Sequence, residues 1–117
     1  MEQDSNLDPP SYLEGPASLD NEGFLLNLRE WNLPVAELIA RQENITLEEK
    51  HWEIIYLLRQ FYNEFDLSPA MRPLVNYVKK HLGPEKGNSI YLLTLFPGSP
   101  AKIASKIAGL PKPENCL

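Results

Sequence analysis

The stretch ITLEEKHWEIIYLLRQFYNEFD constrains this chain more than any other, because its apolar residues recur at helical spacing. Ile54, Leu57, Leu58, Phe61 and Phe65 stand at i, i+3, i+4, i+7 and i+11, which places them in one stripe along one face. Trp52, Ile55 and Tyr56 widen that stripe, so a helix here has to be covered on more than one side. Thr46 and Glu49 have the S/T-x-x-E spacing of a capping box at its start. The segment therefore predicts the longest helix and the centre of the core.

Shorter helical segments surround it. Asn32 reads as an N-cap, with Pro34 in the first turn and Val35, Leu38 and Ile39 at i, i+3, i+4. In SPAMRPLVNYVKKHLG, Ser68 reads as an N-cap and Pro69 as the first helical residue. Met71, Leu74, Val75, Val78 and Leu82 form the stripe, and Gly83 is the stop. Lys79, Lys80 and His81 fall in the last turn, where the helix dipole favours cations. Pro73 lacks a donor near the end of the first turn, which predicts a local distortion or a later start. A turn at GPEKG precedes an apolar helix from about Ser89 to Leu95, and a second Ser-Pro-Ala at Ser99 opens a helix through Ile103 and Ile107 that ends at Gly109.

Upstream, Asp20-Asn21-Glu22-Gly23 is a turn signal, and residues 12–28 read as a small β-hairpin with Phe24 to Leu28 as its better strand. Residues 1–11, with Asp8-Pro9-Pro10, read as a disordered tail. With 43% apolar residues in 117, the chain has material for one modest core. The expected fold is mainly α, formally α+β. It is a single globular domain over 12–108: a compact orthogonal bundle of about five helices over 33–108, with the N-terminal hairpin. A flexible arm follows at 109–117.

Composition narrows the function classes. The opening MEQDSNLDPPS is acidic and polar where a secretory signal needs a basic end and an apolar stretch, and no apolar run is long enough to span a bilayer. A soluble, cytoplasmic protein without a membrane role is expected. His51 and His81 are far apart, and Cys116 is the only cysteine, so neither a zinc-ligand pattern nor an internal disulfide is available. GPEKGNS lacks the order of a phosphate-binding loop. No metal or organic cofactor is expected. Trp31, Trp52, Tyr56, Phe61, Tyr62 and Phe65 sit at helical spacing and read as core rather than as a platform for bases.

The net charge of −5 hides a division. Residues 1–66 hold 14 acids and 4 bases, whereas residues 67–117 hold 2 acids and 7 bases. A basic half beside an acidic one suits a charged partner or nucleic acid. The pair 47–65 and 69–82 could also form a helix-turn-helix, with Arg72, Asn76, Lys79 and Lys80 on an exposed face.

The segment GLPKPENCL carries the thiol. After Gly109, Pro111 and Pro113 favour an extended, polyproline-like path. Nine residues of that kind reach on the order of 25 Å, which carries Cys116 well away from the globule. Proline also lowers the entropy lost when such an arm docks. Glu114 beside the thiol disfavours thiolate, and Lys112 favours it only from farther off, so nothing nearby activates the cysteine. These features predict a nucleophile completed inside a partner's basic cleft.

DNEGFL, HWEIIYLLRQFYNEFDLSPAMRPLV, EKGNSIYLLTLFP and KIAGLPKPENCL, in this order, resemble the DsrC/TusE family over about residues 20–117. The resemblance implies a small helical fold, an N-terminal hairpin and a mobile arm that holds a persulfide on Cys116. In the sulfite-reductase-associated branch a second cysteine lies eleven residues before the last, and here that position is Ser105. The single-cysteine branch is therefore favoured. It implies sulfur taken from a donor complex resembling TusBCD and passed to a tRNA thiouridylase resembling MnmA, with indirect contact to tRNA. Gly109, Leu110, Pro111, Lys112 and Pro113 match the family's arm, and Arg72 and Lys106 are further candidates for partner contact. A carrier in another sulfur-oxidation or sulfite-reductase-type pathway, a nucleic-acid-binding regulator and a purely structural subunit remain as alternatives.

Overall fold

Proline and asparagine punctuation sets most helix starts in the computed structural model, which describes residues 18–114. The first helix, α1 (Leu33–Gln42), begins where Asn32 Oδ1 accepts from Val35 N at 2.9 Å and Pro34 occupies the first turn. The second, α2 (Glu49–Phe65), is the longest. Its start corrects the expected box on Thr46: Ile45 and Leu47 turn inward against the core instead, and the cap moves to Glu48. A box forms there between Glu48 and His51, whose Nδ1 accepts from Glu48 N at 3.1 Å.

The third helix, α3 (Met71–Leu82), starts two residues after Pro69, with Ala70 as its cap. Pro73 thus becomes the third helical residue, where a missing N–H is one of the first-turn groups that have no intrahelical partner in any case. Asn88 Oδ1 accepts from Tyr91 N at 2.8 Å to open α4 (Ser89–Leu95), and Ser99-Pro100 opens α5 (Pro100–Ile107).

Among the described residues there is no strand. Of the hairpin expected over 12–28, the described residues show a single antiparallel bridge, Leu19 to Leu25, around the turn at Asp20 to Gly23, and residues 12–17 lie outside the described part. Asp20 Oδ1 accepts from both Glu22 N and Phe24 N at 2.9 Å, and this local turn competes with a longer ladder. The chain then goes directly into a 3₁₀ turn at Leu28–Glu30 in place of the expected strand.

The core is centred differently from expectation. The short helix α5, not α2 alone, lies in the middle, packed on α1, α2, α3 and α4. Ala101, Ala104, Ser105 and Ala108 are buried on it, and their small side chains let neighbouring helices come close from several directions. Around it close Ile39, Ile54, Ile55, Leu58, Leu74, Val78, Leu92 and Phe96, all buried. The aromatic positions divide: Phe61 is buried, Trp31, Trp52 and Tyr62 are partly buried against the core, and Tyr56 and Phe65 are about half exposed. Phe65 ends α2 and packs against Phe61 with the rings tilted at 49° and their centroids 4.6 Å apart.

Candidate functional site

The site is built outward from the C-terminal end of α5. Gly109 has φ +75°, and the turn it makes sends Leu110 N to Ser105 O (3.0 Å) and Gly109 N to Lys106 O (3.1 Å), the two bonds of a Schellman cap. Trp31 Nε1 donates to Ile107 O at 2.9 Å, and Arg59 donates to Ala108 O at 2.6 Å. Four carbonyls at the end of the helix are thereby satisfied by residues from three parts of the chain. The Arg59 guanidinium also lies 3.9 Å from the Trp31 ring centroid, and burial pulls its pKa down from the ordinary value. Trp31 comes so near that a Cβ on residue 109 would lie 2.2 Å from its Cδ1. Only glycine fits both the dihedral and the space.

This cap corrects the expected departure of the arm at Gly109. Gly109 and Leu110 are buried, and Leu110 belongs to the core cluster. Next, Ser68 Oγ donates to Pro111 O at 2.6 Å. Lys112 Nζ lies 3.1 Å from Glu22 Oε1, and the same carboxylate oxygen receives Lys102 at 3.2 Å. Those two lysines, Lys112 first, hold the Glu22 carboxyl below its usual pKa. Pro113 is buried and Glu114 is exposed. As far as Glu114, then, the arm lies on the globule, fastened on one side by Ser68 and on the other by Glu22. Cys116 lies outside the described residues.

The arm forms one wall of a groove of about 390 Å³. Its other walls are Tyr62 and Asp66 at the end of α2, the Leu67 to Ala70 connection, and Pro73 on α3. The remaining candidates separate. Arg72 is exposed on α3 and has no ion pair among the described residues. Lys106 is buried, with its ammonium 2.7 Å from Glu43 and 5.3 Å from the Phe24 ring centroid. Its geometry gives it a tethering position rather than an outward-facing one. Ser105 is fully buried, and its hydroxyl has no hydrogen-bond partner among the described residues.

Local reading missed Ser68, Glu22, Trp31 and Arg59. Their contacts with the arm and its root span 43 to 90 residues, and no local pattern signals such pairs. Among the described residues, no group of three His, Cys, Asp or Glu is placed to hold a metal ion, and no helix is long and apolar enough to cross a membrane.

The family model described as DsrC like protein matches residues 13–117, and the chain belongs to that family. Sulfurtransferase TusE of Photorhabdus laumondii is 54% identical over 98 residues, 84% of this chain and 88% of the relative. The protein of the same name from Buchnera aphidicola is 52% identical over 98 residues, 84% of this chain and 86% of the relative. Among solved structures, the NMR structure of Allochromatium vinosum DsrC superposes with a TM-score of 0.78 at 50% identity, over 86% of this chain and 90% of that one.

Proposed function

We infer that this chain is a sulfur-relay protein whose carrier atom is the Sγ of Cys116. The observation that carries the reading is the family match, which extends through the only cysteine and joins this chain to relatives named as sulfurtransferases. The fastened arm supports it, since that arm leads to the thiol while its base stays fixed in the body.

The chemistry is thiol exchange. Cys116 loses its proton to solvent or to a base of the donor, and its thiolate attacks the outer sulfur of a donor cysteine persulfide. A bond forms between Sγ and that sulfur, the donor S–S bond breaks, and the donor leaves as thiolate. In delivery an acceptor thiolate attacks the outer sulfur of the Cys116 persulfide, and Cys116 is the leaving group. One sulfur atom changes hands, with no net oxidation or reduction. The cation nearest to Cys116 in sequence, Lys112, is paired with Glu22, and activation of the thiol falls to the partner.

The proposed donor is a complex resembling TusBCD and the proposed acceptor a tRNA thiouridylase resembling MnmA, with contact to tRNA through the acceptor and residence in the cytoplasm. A chain with one cysteine exchanges sulfur singly, which suits stepwise relay better than an intramolecular disulfide cycle. Intact mass after incubation with the donor complex tests this. The expected result is a gain of one sulfur atom, removed by reductant and absent in Cys116→Ser at an unchanged melting curve; gain in the Cys116→Ser variant overturns it.

A second reading rests on α3, whose Arg72, Asn76, Lys79 and Lys80 are exposed. It predicts nucleic-acid binding that falls steeply with salt and is lost when Lys79 and Lys80 are reversed to glutamate, whatever occupies position 116.

A further inference from the structure

Beside the arm, the groove between the end of α2, the 66–70 connection and Pro73 has no occupant from the described chain. Its volume, about 390 Å³, falls in the ~300–1,000 Å³ range of pockets that bury a ligand. Much of its wall is apolar: Tyr62, Leu67, Pro69, Pro73 and Pro111. Leu67 is 54% exposed and lies beside the buried Pro69, so its side chain is open to a partner at the groove. The rim is acidic. Asp66 and Glu114 are exposed and form no ion pair among the described residues, while Lys112 is paired with Glu22.

Covalent geometry ties this groove to the thiol. Glu114 lines it, and Cys116 follows two residues later. Two residues span at most about 7 Å between Cα atoms. Any protein that brings a reacting sulfur to Cys116 must therefore come up against this part of the surface.

We propose that the groove is the docking surface for the protein that exchanges sulfur with Cys116, and that it receives an apolar side chain flanked by lysine or arginine. The inference rests on the carrier function proposed above. Apolar contact at Leu67 supplies the buried centre of the interface, and the partner's cations meet Asp66 and Glu114 at its rim. An apolar cradle joined to an acidic edge also disfavours partners whose contact surface is acidic.

The test compares delivery to a protein with delivery to a small thiol. Wild type and Leu67→Ser are loaded with sulfur, and initial rates are measured with the tRNA thiouridylase proposed as acceptor and, separately, with dithiothreitol. Leu67→Ser is expected to raise the KM for the carrier on the order of tenfold, with the dithiothreitol rate and the melting curve unchanged. Glu114→Gln is expected to raise the same KM less and to flatten its salt dependence. An unchanged KM in both variants overturns the groove while leaving the carrier function intact. A change in the dithiothreitol rate equal to that with the enzyme overturns it in favour of the chain's own residues 115–117 as occupant. A dimer of wild type that Leu67→Ser dissociates overturns it in favour of a second copy. A wild-type chain that takes up no sulfur overturns the carrier function and this docking role with it.

Discussion

Ser68 Oγ donates a 2.6 Å hydrogen bond to the carbonyl of Pro111, linking the turn before α3 to the arm 43 residues later. Ser68 is buried, whereas Pro111 is exposed, so the bond fastens a surface segment to a fixed point. Ser68→Ala removes a contribution of about 0.5–1.5 kcal/mol from that fastening and leaves the Pro111 carbonyl free to bond water. The expected result is lower backbone order parameters at Lys112 and Glu114 with little change in the global melting temperature. NMR relaxation on the labelled chain measures both, and unchanged order at those residues would show that Lys112 with Glu22 suffices to hold the arm.

Gly109 and Gly83 separate backbone strain from lack of space. Both have positive φ, +75° and +92°, but a Cβ at Gly83 meets nothing within 4 Å, whereas at Gly109 it meets Trp31 at 2.2 Å. With ψ 169°, Gly83 lies in a region open essentially only to glycine, and Gly83→Ala is expected to cost about 1–3 kcal/mol for the backbone conformation alone. Gly109→Ala carries a cost for its own left-handed φ and must also push Trp31 off the ring of contacts it makes with Ile107 and Arg59. A further loss of at least about 1–3 kcal/mol is expected from the unpaired carbonyl. Urea unfolding of the two variants compares them directly.

The tripeptide Ser-Pro-Ala occurs at Ser68 and at Ser99, and it opens a helix only at Ser99. A helix started at Pro69 would place Pro73 in the fifth position, without the N–H needed for the residue 69 carbonyl and with its ring against that carbonyl. Starting at Met71 removes the conflict, and it frees Ser68 to bind the arm. The conflict at Pro73 and the cap at Asn32 were legible in the sequence, because each depends on residues only a few positions apart, whereas the shift of the start to Met71 and the bond from Ser68 to the arm were not. The central position of α5 was not, since Ile107 is the one large apolar side chain on its buried face, and the small residues Ala101, Ala104 and Ser105 do not signal how many neighbouring helices they admit. Within the candidate site, the thiol and the glycine-proline arm were visible. The groove was not, because its walls bring together two stretches far apart in the sequence, residues 62–73 and 111–114.

Lys106 and Glu43 form a test of position against partner contact. The ammonium is buried and 2.7 Å from the carboxylate, with side-chain exposures of 8% and 25%. Glu43→Ala leaves a buried ammonium unpaired and is expected to cost about 1–3 kcal/mol or more. Lys106→Met keeps the apolar stem beside Gly23 and Phe24 and leaves only a half-buried carboxylate that water can reach, so a smaller loss is expected. Denaturant midpoints of the two variants give the order. A stability loss in Lys106→Met larger than in Glu43→Ala would contradict the tethering geometry.

His51 makes stability depend on pH. Its Nδ1 accepts from Glu48 N at 3.1 Å, so the ring proton sits on Nε2, which donates to Leu95 O at 3.1 Å. That pair of bonds fits only the neutral ring, since a proton on Nδ1 would point at the Glu48 N–H. Burial pushes the His51 pKa below its ordinary 6.5, against the opposing pull of the Leu95 carbonyl. Between the lowered folded value and 6.5 the unfolded chain binds a proton that the folded chain does not. Stability from this group is therefore complete above the unfolded value and declines as pH falls below it, levelling off beneath the folded value. Urea midpoints at pH about 5 and about 7.5 should show the folded chain weaker at the lower pH. In His51→Gln, the part of that difference due to this ring should vanish, while carboxylate titrations persist in both proteins. An NMR titration of the His51 ring gives the folded pKa itself, and a value above 6.5 would reverse the sign of the effect.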